Sequence, residues 1–242
     1  MKGTTSNTLA KSFPRSDDRE RLDTGERALL LISGGIDSAV ALWWARAQGL
    51  EVLPLTYHYF GRPKAELVAT RRLLDAVGLR PLREIDLPFL KEVDDLRKAG
   101  PLTNAALERS PEGYIPARNM IFYALAAYHA EVEGASWVIG GHNGMDPEAF
   151  PDSSPKFFNF LNSLYRLGIW SSSVTPVKVV QPLSGKDKAT VVRMGLDLGV
   201  PFADTWSCYW DAEVHCGTCA SCREREAAFA SLEVPDPVRY RA

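Results

Sequence analysis

The stretch Ala28-Leu-Leu-Leu-Ile32-Ser33-Gly34-Gly35-Ile36-Asp37-Ser38, continuing through Ala39-Val40-Ala41-Leu42, decides the fold. Its first five residues are all apolar. A strand with one wet face alternates apolar and polar residues, so an unbroken run marks a strand covered on both faces. Two glycines then interrupt the chain, and Ala39 to Gln48 reads as a helix that stops at Gly49. Glu51 to Tyr57 reads as a second strand, which completes a βαβ unit.

The rhythm continues outward from that unit. Lys64 to Val77 is helical and stops at Gly78, Pro81 to Leu87 reads as a strand, Asn119 to Glu133 as a helix, and Ser136 to Ile139 as a strand running into Gly140-Gly141. A further helix spans Lys186 to Leu198, closed by Gly199 and Pro201. Alternating elements of this kind specify an α/β protein with a mostly parallel sheet and helices on both faces. Such sheets bind ligands at the carboxyl ends of their strands. Phe157, Phe160, Leu161 and Leu164 recur at helical spacing and are expected in the core. Residues 1–27 are rich in Ser, Thr and charge without apolar periodicity, and read as a flexible extension with no chemistry of its own.

With 242 residues the chain has room for one large domain and a small lobe. A net charge of −2 removes the simplest argument for a nucleic-acid partner, because proteins that bind phosphate backbones usually carry a basic excess. No apolar run approaches the roughly 20 residues of a membrane helix, and the first residues are polar rather than a signal peptide. The expectation is a cytoplasmic protein without membrane or nucleic-acid partners.

All four cysteines lie within fifteen positions: Cys208, then Cys216-Gly-Thr-Cys219-Ala-Ser-Cys222. Two overlapping Cys-x-x-Cys steps turn sulfurs toward a common centre, which Cys208 can complete from a preceding loop. Soft thiolates make zinc the first reading and an iron-sulfur cluster the second. Two disulfides are the bland alternative, disfavoured in a reducing compartment. Four protein ligands leave no open coordination position, so a metal here holds the tail together and the chemistry lies elsewhere. His215, beside Cys216, is surplus to such a set.

The chemistry points to Ser33–Ser38. Two glycines let the backbone approach an anion, successive N–H groups and a helix N-terminus supply positive potential, and two serine hydroxyls add donors. This is a phosphate cradle, but neither a Walker A loop nor a dinucleotide fingerprint, since the required Lys-Ser/Thr pair and G-x-G-x-x-G are both missing. The bland reading is a glycine turn capped by Asp37 or Ser38.

Ser-Gly-Gly-x-Asp-Ser after a buried strand resembles the loop of the ATP-pyrophosphatase superfamily. Further pieces sharpen the likeness: Tyr114-Ile-Pro-Ala-Arg118-Asn119-Met-Ile-Phe122, Asn143 with Asp146, Phe150-Pro151-Asp152, Pro182-Leu183 with Lys188, and Thr205-Trp-Ser-Cys208-Tyr209 with the cysteine run to Arg223. In order and spacing they are similar to the 7-cyano-7-deazaguanine synthase family, over roughly residues 28 to 237. The resemblance implies a Rossmann-like, adenine nucleotide alpha hydrolase-like fold: an ATP-binding domain over residues 28–204 and a zinc lobe over residues 205–242. It implies ATP-dependent conversion of 7-carboxy-7-deazaguanine and ammonia to the nitrile, with Mg²⁺ and one structural Zn²⁺.

By the same resemblance, Ile32, Ser33, Gly34, Gly35, Ile36, Asp37, Ser38, Ala39, Val40, Ala41, Leu42, Arg118 and Gly141 would bind ATP. Tyr59, Arg62, Asn119, Asn143, Asp146, Phe150 and Asp152 would bind the deazapurine. Asp37, Arg118, Lys188 and Asp152 would carry the reaction, Asp37 toward Mg²⁺ and the two cations toward phosphate. The family's Gly-Gln-Arg-His segment reads Phe60-Gly-Arg62-Pro63 here, its Tyr-Pro-Asp-Cys-Arg-Pro-Glu-Phe reads Phe150-Pro-Asp152-Ser153-Ser154-Pro-Lys156-Phe157, and a glycine before Arg118 is Ala117. These departures fall on the substrate side. They leave open a relative that couples an activated deazapurine to another amine, such as a protein N-terminus in antiphage defence. A tRNA-modifying relative and a homodimer also stay open.

Overall fold

A computed structural model describes residues 22–145 and 150–241. Among them a five-stranded sheet is formed by β1 (Arg27–Leu31), β2 (Glu51–Tyr59), β3 (Arg83–Leu87), β4 (Trp137–Ile139) and β5 (Lys178–Val180). Every pairing is parallel, in the order β3-β2-β1-β4-β5. The helices are α1 (Ile36–Ala47), α2 (Lys64–Ala76), α3 (Val93–Ala99), α4 (Arg118–Glu133), α5 (Pro155–Gly168), α6 (Lys188–Leu198) and α7 (Ala220–Ser231).

The unbroken apolar run does what its pattern predicts. Ala28, Leu30 and Ile32 face one side, with Val52, Trp137 and Ile139, and pack under α1, α2, α6 and α7. Leu29 faces the other side with Leu55, Tyr57, Val138 and Val179, under α4 and α5. Each such fully buried aliphatic side chain stabilises the fold by about 1.5–3 kcal/mol.

The chain winds outward from β1 to β2 and β3, then crosses back to place β4 on the other flank of β1. The strand order therefore reverses between β1 and β4. The carboxyl ends of those two strands open the crevice where doubly wound sheets bind ligands, and the Ser33–Gly35 and Gly140–Asn143 turns lie there.

Several local expectations shift. Helix α1 starts at Ile36 rather than Ala39, with Gly35 at its N-cap and no side-chain cap, so neither Asp37 nor Ser38 caps it. Strand β2 runs on to Tyr59. Three elements lie outside the expected pattern: the short α3, the three-residue edge strand β5, and α7 within the cysteine region. The helical stripe in α5 is offset from the core. Phe160 and Leu164 are 67% and 64% exposed, whereas Phe158, Leu161 and Tyr165 are buried. Residues 22–27 of the expected extension are tied to the body: Leu22 packs on the α1 side, the Gly25 amide donates to the Gly49 carbonyl, and Glu26 accepts from the Trp137 indole. Among the described residues no helix is long and apolar enough to cross a membrane.

The C-terminal segment folds against this sheet. The Trp206 amide donates to the Gly34 carbonyl (2.9 Å), and Asp211 Oδ1 accepts from the Ala65 amide at the start of α2 (2.9 Å). Arg225, 1% exposed, donates to both oxygens of the buried Asp236 (2.8 and 2.9 Å), to Thr205 Oγ1 (2.7 Å) and to the Phe202 carbonyl (3.0 Å).

Candidate active site and metal centre

Loop 33–35 is shaped by one residue above all. Gly34 has φ +90°, and a Cβ there would stand 2.2 Å from the Glu66 carbonyl oxygen, so only glycine fits both the conformation and the space. The side chains of Ser33 and Ser38 meet across the turn (Oγ···Oγ 3.2 Å), and Ser38 Oγ also receives the Ser33 amide (3.2 Å) and donates to the Gly35 carbonyl (3.1 Å). Gly141, after β4, closes on the same place: a Cβ there would lie 2.9 Å from the Ser38 amide nitrogen. Ile32, Ile36, Ala39, Val40, Ala41 and Leu42 are buried behind the loop, so any part they play in binding is to set its backbone.

Asp37 projects from the first turn of α1 and meets Lys188 from the first turn of α6: Lys188 Nζ donates to Asp37 Oδ2 at 2.6 Å. Lys188 also pairs with Glu224 of α7 at 3.4 Å. The other oxygen, Asp37 Oδ1, is buried with no hydrogen-bond partner among the described residues. An orphaned carboxylate oxygen beside a phosphate-shaped loop matches the demand of a hard divalent cation for oxygen ligands. Two helix N-termini, an acid and a lysine thus converge on one crevice, 151 positions apart in sequence.

The expected substrate residues form a second group. Asp152 Oδ2 accepts the Asn119 amide at 3.0 Å, and the Asn119 side-chain amide donates to the Asp152 carbonyl at 3.1 Å, so the two brace the start of α4. Beside them Arg118 lies over the Phe150 ring (5.8 Å), and Phe150 is nearly parallel to Tyr114 (6.4 Å between centroids). Tyr59 sits near Phe122; burial, then the Glu66 carboxylate, hold its phenol above its ordinary range against the opposing charges of Arg118 and Arg62. Asn143 is buried, and its Oδ1 accepts the Met145 amide (2.8 Å). Arg62 bonds wholly within the protein, to Glu66, Thr56, Tyr57 and Ser33. Asp146 lies outside the described residues.

Two departures have structural accounts. Ser154 caps α5, accepting the Phe157 amide at 3.2 Å, and Ser153 donates to the Phe150 carbonyl at 2.6 Å. Ala117 takes the left-handed conformation, φ 55° and ψ 25°, at the N-cap of α4.

The four cysteine sulfurs lie within 4.8 Å of one another. A tetrahedral metal with bonds of about 2.3 Å separates its sulfurs by about 3.8 Å, so the cluster could hold a metal ion. The sulfurs already receive donors: Cys208 from the amides of Trp210 and Cys216, Cys216 from Thr218 and Cys219, Cys219 from Cys222. Hydrogen bonds from the Thr218 hydroxyl and amide, then the Cys219 amide, hold the Cys216 thiol well below its ordinary range. His215 is not in the cluster. It is buried, accepts the Ser207 amide at Nε2 (3.0 Å), and burial depresses its pKa to about 4.

Of the other histidines, His58 pairs with Glu84 (2.7 Å) and His142 packs against Tyr123 and Phe158. Sequence reasoning gave Tyr114 no role beyond the motif it opens, and it missed Glu224. Glu224 could have been found, because a helix starting near Cys219 places Cys222, Arg225 and Phe229 on one buried face with Glu224 beside it.

The sequence profile of the queuosine biosynthesis protein QueC matches residues 27–233. A 7-cyano-7-deazaguanine synthase of Cyanothece sp. is 35% identical over 89% of this chain and 100% of its own length. Another, of Methanothrix thermoacetophila, is 34% identical over 89% of this chain and 99% of its own. Among solved structures, a predicted subunit of tRNA methyltransferase from Methanocaldococcus jannaschii aligns at 14% identity over 90% of this chain and 92% of its own, with a TM-score of 0.48. With its phosphate-shaped loop, its Asp37–Lys188 pair and its four cysteines all inside the matched span, the chain belongs to the QueC family of queuosine biosynthesis proteins.

Proposed function

We propose that this enzyme, a carbon-nitrogen ligase, converts 7-carboxy-7-deazaguanine and ammonia to 7-cyano-7-deazaguanine at the expense of ATP. The observation that carries this reading is the Asp37–Lys188 pair at the mouth of the Ser33–Gly35 loop. A carboxylate resists attack because an oxide leaves poorly. Transfer of adenylate from ATP to its oxygen releases pyrophosphate and makes AMP the leaving group, so ammonia displaces AMP and gives the amide. A second ATP adenylates the amide oxygen with release of pyrophosphate, and loss of AMP and of both amide N–H protons to solvent leaves the nitrile.

The chain's task is positioning and charge stabilisation. The Ser33–Gly35 amides and the Ser38 hydroxyl would hold the phosphates, and Lys188 and Arg118 would neutralise charge on pyrophosphate and on the activated carboxyl. Asp37, through the Oδ1 that has no partner among the described residues, would help to hold Mg²⁺, which supplies charge neutralisation at the phosphates when bound. Asp152, Asn119, Asn143, Asp146 and Phe150, with Tyr59, would form the substrate set of this reading, while Arg62, whose guanidinium bonds within the protein, stands apart from it. The four cysteines would hold one zinc as a structural ion.

Purified enzyme incubated with the carboxydeazaguanine, ATP, Mg²⁺ and ammonia is expected to release AMP, pyrophosphate and the nitrile, separable by chromatography. Deazapurine adenylate without nitrile would favour coupling to another amine, such as a protein N-terminus. No ATP turnover with the deazapurine would sink both readings.

A further inference from the structure

Arg62 stands in the turn after β2, and its side chain is only 5% exposed. Its guanidinium makes four hydrogen bonds inside the protein. Nε donates to Glu66 Oε2 of α2 (2.9 Å), Nη1 to Thr56 Oγ1 (2.9 Å) and the Tyr57 carbonyl (2.5 Å) of β2, and Nη2 to the Ser33 carbonyl of the phosphate loop (2.9 Å). A guanidinium has five N–H groups in a rigid planar fork, so nearly all of its donor capacity is spent on these acceptors.

The last of these bonds has a directional consequence. The carbonyl of Ser33 and the amide of Gly34 belong to one planar trans peptide and point in opposite directions. Drawing the carbonyl toward Arg62 turns the Gly34 N–H away from it. The next peptide is fixed in the same way from the other side, since the Gly34 carbonyl accepts the Trp206 amide at 2.9 Å. Retreat toward α2 is blocked by the Glu66 carbonyl, which Thr70 Oγ1 holds in place (2.9 Å).

We propose that Arg62 is a positioning residue of the phosphate loop rather than a contact to the deazapurine: it aims the Gly34 amide at the bound anion by anchoring the Ser33 carbonyl. Preset amides need little reordering when phosphate arrives, so the anchor strengthens ATP binding without touching ATP. The inference rests on the proposal that this loop holds ATP phosphates.

Calorimetric titration of the full chain with ATP and Mg²⁺ tests it, alongside the KM for 7-carboxy-7-deazaguanine. Loss of a hydrogen-bonded charged group should weaken ATP binding about tenfold in Arg62→Gln. Arg62→Lys, which keeps the charge but cannot span four acceptors, should recover only part of that loss. The deazapurine KM should change less than about twofold, a split that a general loss of structure would not give. An ATP affinity within twofold of wild type in both variants, or a deazapurine KM raised tenfold with ATP binding intact, overturns the proposal. Should Arg62→Gln not fold, Glu66→Ala and Thr56→Val each remove one acceptor and keep the cation; weaker ATP binding in either supports the anchor, and unchanged ATP binding in both overturns it. ATP binding is read without turnover, so a chain that binds ATP but makes no nitrile fails the proposed reaction and leaves this inference standing.

Discussion

Asp37 has one oxygen engaged by Lys188 and one buried without a hydrogen-bond partner among the described residues, and that asymmetry bears on whether its role is ligand binding or structural. A carboxylate in the first turn of α1 gains only about 0.3–1 kcal/mol from the helix dipole. Asp37→Asn should therefore melt within a few degrees of the wild type, while pyrophosphate release falls on the order of 100-fold or more, the scale of losing one electrostatic group at a reacting centre. A large fall in melting temperature with pyrophosphate release near that of the wild type would instead make Asp37 a capping residue. At Ala117 the chain holds an alanine in the left-handed region, which costs roughly 1–2 kcal/mol and is nearly free for glycine. Ala117→Gly should raise stability by about 1 kcal/mol, read as a higher urea midpoint at unchanged slope. Both positions are legible in the sequence: an acid just after a glycine turn, and an alanine where the resembled family has glycine. The Arg62 anchor is not, because its bond to the Ser33 carbonyl joins positions 29 apart through a backbone oxygen that carries no residue-type signal.

Helix α5 shows what periodicity can and cannot decide. Phe157, Phe158, Phe160, Leu161, Leu164, Tyr165 and Leu167 supply more apolar positions than one face can bury, so two stripes satisfy helical spacing. Tertiary packing selects Phe158, Leu161 and Tyr165, the last through its hydroxyl bond to the Tyr123 carbonyl (2.5 Å). Phe160, Leu164 and Leu167 are left outward. Leu161→Ala should cost about 2–5 kcal/mol in chemical denaturation, the usual range for a buried leucine, and Leu164→Ala less than about 0.5 kcal/mol. Equal losses would contradict this division. The missing β5 has a different cause: three residues at a sheet edge are too short to show a period, and Lys178 and Val180 are only half-buried. Helix α7 has almost no apolar stripe, since its buried face is built from Cys222, Arg225, Ala228 and Phe229, with an arginine where pattern reading expects a leucine.

That arginine governs how the molecule is held together. Arg225 reaches Thr205 and the Phe202 carbonyl on one side and Asp236 on the other, while the next amide along from Thr205, that of Trp206, bonds to the Gly34 carbonyl of the Ser33–Gly35 loop. The cysteine cluster, the C-terminal residues and the crevice are thus joined through one buried ion pair. Burial alone would raise the Asp236 carboxyl, but bonds from Arg225 and Tyr240, with the Arg225 charge, hold it below the ordinary aspartate value. A depressed acid contributes stability that is fully present above its unfolded value of about 3.8 and is lost as pH falls through the folded value. Removing Asp236 strands a buried guanidinium, so Asp236→Asn should cost about 3–5 kcal/mol near neutral pH. The wild-type advantage over Asp236→Asn should hold steady above pH ~4 and shrink below it as the wild-type carboxyl takes up its proton. Denaturant titrations of both proteins across that range test the sign: an advantage that grows on acidification would mean that Asp236 is protonated in the folded chain and that the pair is not the clasp.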